Sequence, residues 1–117
     1  MGERDMGIAA QALDGVYGRP AAGVGARLER ADGGKWLTVA EAETDSRGRI
    51  EEWCDHRLDR GLYRIIFDSD RYFVGLGLSA AYPEISVMFR IQDEVDSYQI
   101  QVMLSPYSYS TYFGSRV

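Results

Sequence analysis

Histidine and cysteine are almost missing from this chain, which holds one of each, His56 and Cys54, in 117 residues. Zinc and related metals take three or four Cys, His or carboxylate ligands, so one subunit cannot build such a centre from these residues. A disulfide framework is impossible. No metal and no cofactor are expected, and Cys54 reads as a small structural side chain. A basic surplus is missing too: 13 Lys and Arg stand against 18 Asp and Glu, a net charge of -5. That balance opposes binding to a phosphate backbone, so nucleic acid is not an expected partner. Long apolar runs are also lacking. Met1 to Met6 is charged and nothing approaches a signal core or a membrane span, which makes a cytoplasmic protein with no membrane partner the expectation.

What the chain does have is 45% hydrophobic and 12% aromatic residues in a length that fits one domain, residues 1–117, with 1–6 expected to be disordered. Turn residues recur at Asp14-Gly15, Arg19-Pro20, Asp32 to Gly34, Asp45 to Gly48, Asp59 to Gly61 and Ser105-Pro106. The runs between them are about five to eight residues long, which is strand length. In Ile85 to Gln92, the residues Ile85, Val87, Phe89 and Ile91 alternate with Ser86, Met88, Arg90 and Gln92, the pattern of a half-buried strand.

Val24 to Arg30 and Lys35 to Glu41 flank a glycine-bearing reversal and read as a hairpin. Gly61 to Phe67 reads as a further strand. It leads through Asp68-Ser69-Asp70 into a short helix from about Asp70 to Gly77 that buries Tyr72, Phe73 and Leu76. Trp36, Trp53, Tyr63, Phe67 and Phe89 are expected in the core. One short helix among seven or eight strands makes the fold all-β, a sandwich.

The terminal strands carry an unusual pattern. Tyr98, Ile100, Val102 and Leu104 share one face, and Gln99, Gln101 and Met103 the other. After Ser105-Pro106, Tyr107, Tyr109, Thr111 and Phe113 alternate with Ser108, Ser110 and Tyr112. The first strand sets Ile8, Ala10 and Ala12 against Ala9, Gln11 and Leu13. One sheet therefore presents a face of Gln, Ser, Met, Leu and Tyr.

Ala12-Leu13-Asp14 followed by Gly18-Arg19-Pro20-Ala21-Ala22-Gly23-Val24 resembles the opening of the transthyretin and 5-hydroxyisourate hydrolase family. Leu104-Ser105-Pro106-Tyr107-Ser108-Tyr109-Ser110-Thr111-Tyr112 is similar to its C-terminal signature. Thr44-Asp45-Ser46-Arg47-Gly48-Arg49, Gly61-Leu62-Tyr63-Arg64 and Tyr82-Pro83-Glu84-Ile85 fall in the family's order, so the resemblance spans about residues 8 to 115. It implies a transthyretin-like (prealbumin-like) Greek-key β-sandwich of about eight strands with one short helix. It also implies a homotetramer, a dimer of dimers whose central channel binds small molecules. The positions it assigns to the channel are Leu13, Gln101, Met103, Ser108 and Ser110, with Phe113 from the terminal tetrapeptide.

The hydrolase branch of that family carries a His in the first strand, an Arg after a turn, a second His in the penultimate strand and a terminal Tyr-Arg-Gly-Ser. The matching residues here are Gln11, Arg49, Gln99 and Tyr112-Phe113-Gly114-Ser115. Gln11, Arg49, Gln99, Tyr112 and Ser115 are thus the candidate catalytic set. Arg49 reads either as an anchor for an anion or as a strand-edge charge. Tyr112 reads as an acid, a hydrogen-bond donor or interface packing. No motif sets a base beside Ser115 to activate it, and His56 lies outside the family's motif positions.

A carboxamide can orient water but cannot take its proton, so hydrolysis of 5-hydroxyisourate is expected near the uncatalysed rate. The favoured expectation is a divergent member whose channel binds a small cyclic or aromatic molecule. Its site would be repurposed for a cyclisation, isomerisation or lyase step in specialised metabolism. The alternatives are a 5-hydroxyisourate hydrolase of purine breakdown and a non-catalytic small-ligand carrier.

Overall fold

The alternation at 85–91 becomes a strand whose residues are buried and exposed in strict turn, from Ile85 to Ile91. This computed structural model describes residues 7–51, 53, 58–92 and 97–115. The expectations for residues 1–6, Cys54 and His56 fall outside the described residues. In chain order the elements are β1 (Gly7–Asp14), β2 (Arg19–Pro20), β3 (Gly25–Asp32), β4 (Lys35–Glu43), β5 (Arg49–Ile50), β6 (Gly61–Phe67), α1 (Ser69–Gly75), β7 (Ile85–Ile91), β8 (Ser97–Leu104) and β9 (Tyr109–Ser115). β2 and β5 are two-residue pieces, both paired to β1. The remaining seven strands account for the regular part of the expected count.

One sheet runs β2-β1-β8-β9 with β5 also on β1, and the other runs β4-β3-β6-β7. β1 and β8 pair in parallel, and between them the chain crosses to the second sheet and back twice, returning once for β5. All other described pairings are antiparallel. Ile8, Ala10, Ala12, Ile100, Val102 and Leu104 from the first sheet meet Leu28, Tyr63, Ile65, Phe67, Ile85 and Val87 from the second. Apolar surface removed from water by two facing sheets is the main stabilising term here.

The reversal between β3 and β4 is made by Gly33 and Gly34, with φ of 59° and 86°. Two consecutive positive φ angles are what a two-residue hairpin matched to strand twist requires. The helix starts earlier than the sequence suggested. Asp68 caps it by accepting from the Arg71 amide, so the helix spans Ser69 to Gly75, burying Phe73 fully and Tyr72 and Leu76 in part.

Tyr63, Phe67 and Phe89 lie in the core as expected, and Trp53 packs against it. Trp36 does not. It sits on edge strand β4, half-buried, with the Arg64 guanidinium 4.2 Å above its ring. An indole on an edge strand keeps its solvent-facing side covered by that cation rather than by the opposing sheet.

Candidate functional site

The polar face of the terminal strands is assembled by register. In the parallel pair, Ala9 lies beside Gln99, Gln11 beside Gln101 and Leu13 beside Met103. In the β8–β9 pair, Gln99 lies beside Gly114, Gln101 beside Tyr112 and Met103 beside Ser110. β5 adds Arg49 on the other edge of β1, opposite Gln11. Side chains paired across strands share a face, so Arg49, Gln11, Gln101 and Tyr112 form one row on the surface away from the core.

Arg49 is delivered to that row by the turn before it. The Asp45 carboxylate accepts from the backbone amides of Arg47 and Arg49, each at 2.9 Å. These two donors, Arg49 first, hold the Asp45 carboxyl below its usual 3.8. Gly48 has φ of 77° and its carbonyl accepts from the Ala12 amide at 2.7 Å, which docks the turn on β1. Upstream, the buried Thr44 hydroxyl accepts from the Val24 amide at 2.9 Å and donates to the Ala21 carbonyl at 2.7 Å.

Gln101 Nε2 donates to Gln11 Oε1 at 3.0 Å. That bond engages the Gln11 oxygen and does not use its amide hydrogens. The Gln99 side-chain amide has no partner among the described residues. A pocket of about 100 Å³ is bounded by Ala9, Ala10, Gln11, Arg49, Glu51 and Gln99. Three of the five candidate catalytic residues, Gln11, Arg49 and Gln99, thus meet at one cavity.

Tyr112 reaches toward the same place. A Cβ added to Gly114 would meet the Tyr112 hydroxyl oxygen at 2.5 Å, so the phenol lies over residue 114, beside Gln99 in the register. Met103 and Ser110 continue the face, and Ser108 sits in the turn, where its carbonyl accepts from the Ser105 amide at 3.0 Å. Ser115 pairs with Tyr98 through the backbone, out of phase with Gly114.

Phe113 departs from the channel placement. It stacks on Tyr98 at 5.1 Å and lies 5.5 Å from Phe89 of the opposite sheet. Strand alternation sends it to the face opposite Tyr112, where it packs on these two rings while staying 39% exposed.

Sequence reasoning missed Glu51 and Ala9. Arg49 Nη1 lies 3.4 Å from Glu51 Oε2, with the two side chains 44% and 49% exposed. The signal was available: Glu51 is two residues beyond Arg49 in an extended segment, hence on the same face. Ala9, only 6% exposed, forms the pocket's floor between them and Gln99.

A larger and more open hollow of about 540 Å³ lies on the other sheet, bounded by Arg27, Glu41, Glu43, Asp68 and Glu84 among others. Its cation, Arg27, is already held by Glu29 at 2.6 Å, and no candidate residue reaches it. Among the described residues no three His, Cys, Asp or Glu side chains gather as metal ligands, and no helix is long and apolar enough to cross a membrane.

The model of the HIUase/Transthyretin family matches residues 8–114. This chain belongs to that family. Within it, the chain is 38% identical over 104 residues to the 5-hydroxyisourate hydrolase of Salmonella dublin, covering 88% of this chain and 76% of that one. It is 33% identical over 106 residues to the mouse 5-hydroxyisourate hydrolase, covering 88% and 90%. Among solved structures, sea bream transthyretin in complex with thyroxine superposes with a TM-score of 0.88 at 27% identity, covering 93% of this chain and 95% of that one. The transthyretin-family β-sandwich with one short helix is therefore the fold of this chain.

Proposed function

We propose that this chain is a 5-hydroxyisourate hydrolase of purine breakdown, opening a small cyclic ureide at the Gln11–Arg49–Gln99 pocket. The observation that carries the reading is that cavity, set in a chain whose curated relatives across 88% of its length are named as hydrolases of that compound. The sequence alone favoured a repurposed reaction because two amides stand where the resemblance implies imidazoles. The balance changes because the pocket also holds a carboxylate, Glu51, which restores a proton acceptor to it. Arg49 supplies a guanidinium for the ring's oxygens, and the amide hydrogens of Gln11 and Gln99 fix its plane.

A homotetramer is part of this reading. Met103 and Tyr112 are 46% and 62% exposed on the same face as the pocket, an apolar and aromatic surface suited to cover by further copies of the chain. Sedimentation at micromolar concentration is expected to give a tetramer.

The deciding assay generates 5-hydroxyisourate in place with urate oxidase and follows its decay. Acceleration that is lost in Arg49→Ala is expected. Absence of acceleration, together with tight binding of a flat aromatic ligand, would replace the enzyme with a carrier. A second reading, the same pocket running a different ring reaction, is favoured by the Gln11–Gln101 amide pair. It predicts no acceleration with 5-hydroxyisourate but turnover of another heterocycle that is impaired by Gln11→Ala.

A further inference from the structure

Among the described residues that line the pocket, Glu51 alone carries a group able to accept a proton. Gln11 and Gln99 are amides, Ala9 and Ala10 are inert, and the guanidinium of Arg49 is a donor with no acceptor atom. Its place follows from the backbone. Ile50 turns into the core at 4% exposure, so its neighbours Arg49 and Glu51 both face outward. Continuing the β1–β5 register by one residue sets Glu51 beside Ala9, whose other neighbour is Gln99. Strands lie about 4.8 Å apart, so Glu51 and Gln99 stand about 10 Å apart across a methyl group, a gap the width of a planar bicyclic ring. The 3.4 Å contact with Arg49 aims the carboxylate while leaving it half exposed.

From this arrangement we infer that Glu51 is the general base of the site, acting on water that attacks a carbonyl of a cyclic amide or ureide; the inference rests on the hydrolase reading above. Water gives one proton to the Glu51 carboxylate as its oxygen bonds to the ring carbonyl carbon. The carbonyl electron pair moves onto oxygen, facing the N–H donors of Gln99 and Arg49. When that pair returns, the ring C–N bond breaks and Glu51 passes its proton to the departing nitrogen. The products are a carboxylic acid, which ionises in solution, and the freed N–H. Water is the only co-reactant consumed.

The same geometry gives Arg49 a divided role. Its charge is balanced by Glu51, so removing the carboxylate leaves the guanidinium to an anion. Glu51→Gln and Glu51→Ala should therefore bind urate as tightly as the wild type or more tightly while losing turnover.

The test measures 5-hydroxyisourate decay against pH and urate binding by calorimetry, in the wild type, Glu51→Gln and Glu51→Ala. Both variants are expected to lose about 100- to 10,000-fold in kcat/KM with urate binding retained. The wild type and Glu51→Gln should differ in the pH profile of kcat/KM. Added formate should restore part of the activity of Glu51→Ala and none to Arg49→Ala, a result that a merely structural role for Glu51 would not produce. If the wild type accelerates decay and Glu51→Gln keeps its rate and pH profile, the general-base inference fails and the hydrolase reading stands. If the wild type gives no acceleration, both fall together.

Discussion

The Gly48 carbonyl accepts from the Ala12 amide at 2.7 Å, and the Ala12 carbonyl oxygen occupies the space that a Cβ on residue 48 would need. This contact lashes the turn that carries Arg49 to the middle of β1, one residue from Gln11. The site depends on it, because β5 has two residues and cannot hold its own register.

Gly48→Ala should therefore cost both stability and the site. The positive φ alone costs a non-glycine residue roughly 1–3 kcal/mol, and the clash with Ala12 adds to that. A lower urea midpoint is expected, together with weaker urate binding than in a comparably destabilised core variant such as Val102→Ala. Unchanged binding in a destabilised Gly48→Ala would show that Arg49 is positioned by something else.

Tyr72 and Asp14 make stability sensitive to pH at both ends of the scale. Burial would raise the Asp14 carboxyl, but the Tyr72 hydroxyl at 2.6 Å, the amides of Tyr17 and Val16 and the Arg19 charge outweigh it and hold it below 3.8. A depressed folded value gives stability that is present above the unfolded value and lost as pH falls through the folded one. Tyr72 is pushed up to about 12 from 10.0, first by burial and then by the Asp14 carboxylate. Its contribution is present below pH 10 and lost between about 10 and 12. Tyr72→Phe should lower stability at pH 7 by about 1.5–3 kcal/mol and flatten both limbs in urea titrations from pH 2 to 11. A uniform loss at every pH would count against the pairing.

Ala9→Leu should fill the floor of the pocket. Its side chain points to the polar face, so the expected result is loss of urate binding by more than about tenfold with a destabilisation of about 1–3 kcal/mol from overpacking. Calorimetry and thermal melting on one preparation separate the two effects. Wild-type affinity in Ala9→Leu would remove the pocket from the binding site.

Glu29 is buried between two arginines on the outer face of the second sheet, accepting from Arg27 at 2.6 Å and Arg64 at 2.7 Å. Burial opposes its ionisation, and the hydrogen bonds from Arg27 and Arg64 outweigh that and lower its pKa. Both arginines are partly exposed, at 39% and 26%, which reduces the worth of the pairs through solvent screening. Glu29→Gln should cost about 1–3 kcal/mol at pH 7 in urea and leave urate binding unchanged, because the residue lies on the other sheet. Loss of binding would link the two sheets in a way the geometry does not.

Alternation, turn chemistry and the terminal motifs made the sandwich and its polar face legible in the sequence, because a strand's period of two sorts neighbours into core and surface wherever it runs. They put Gln11, Gln99, Met103 and Tyr112 on one face of the terminal strands, and the register of β1, β8 and β9 sets those positions in phase. The terminal tetrapeptide points Phe113 to the channel, whereas its own phase in β9 turns it to Tyr98 and Phe89 on the other face. The pocket itself was decided by tertiary structure. Its members come from residues 9–11, 49–51 and 99, and their meeting depends on a parallel β1–β8 pairing and on a glycine turn docked against Ala12. Sequence periodicity assigns each residue to a face, but only the pairing of distant strands sets which residues on that face are neighbours, because register is fixed by hydrogen bonds between segments that the chain order keeps apart.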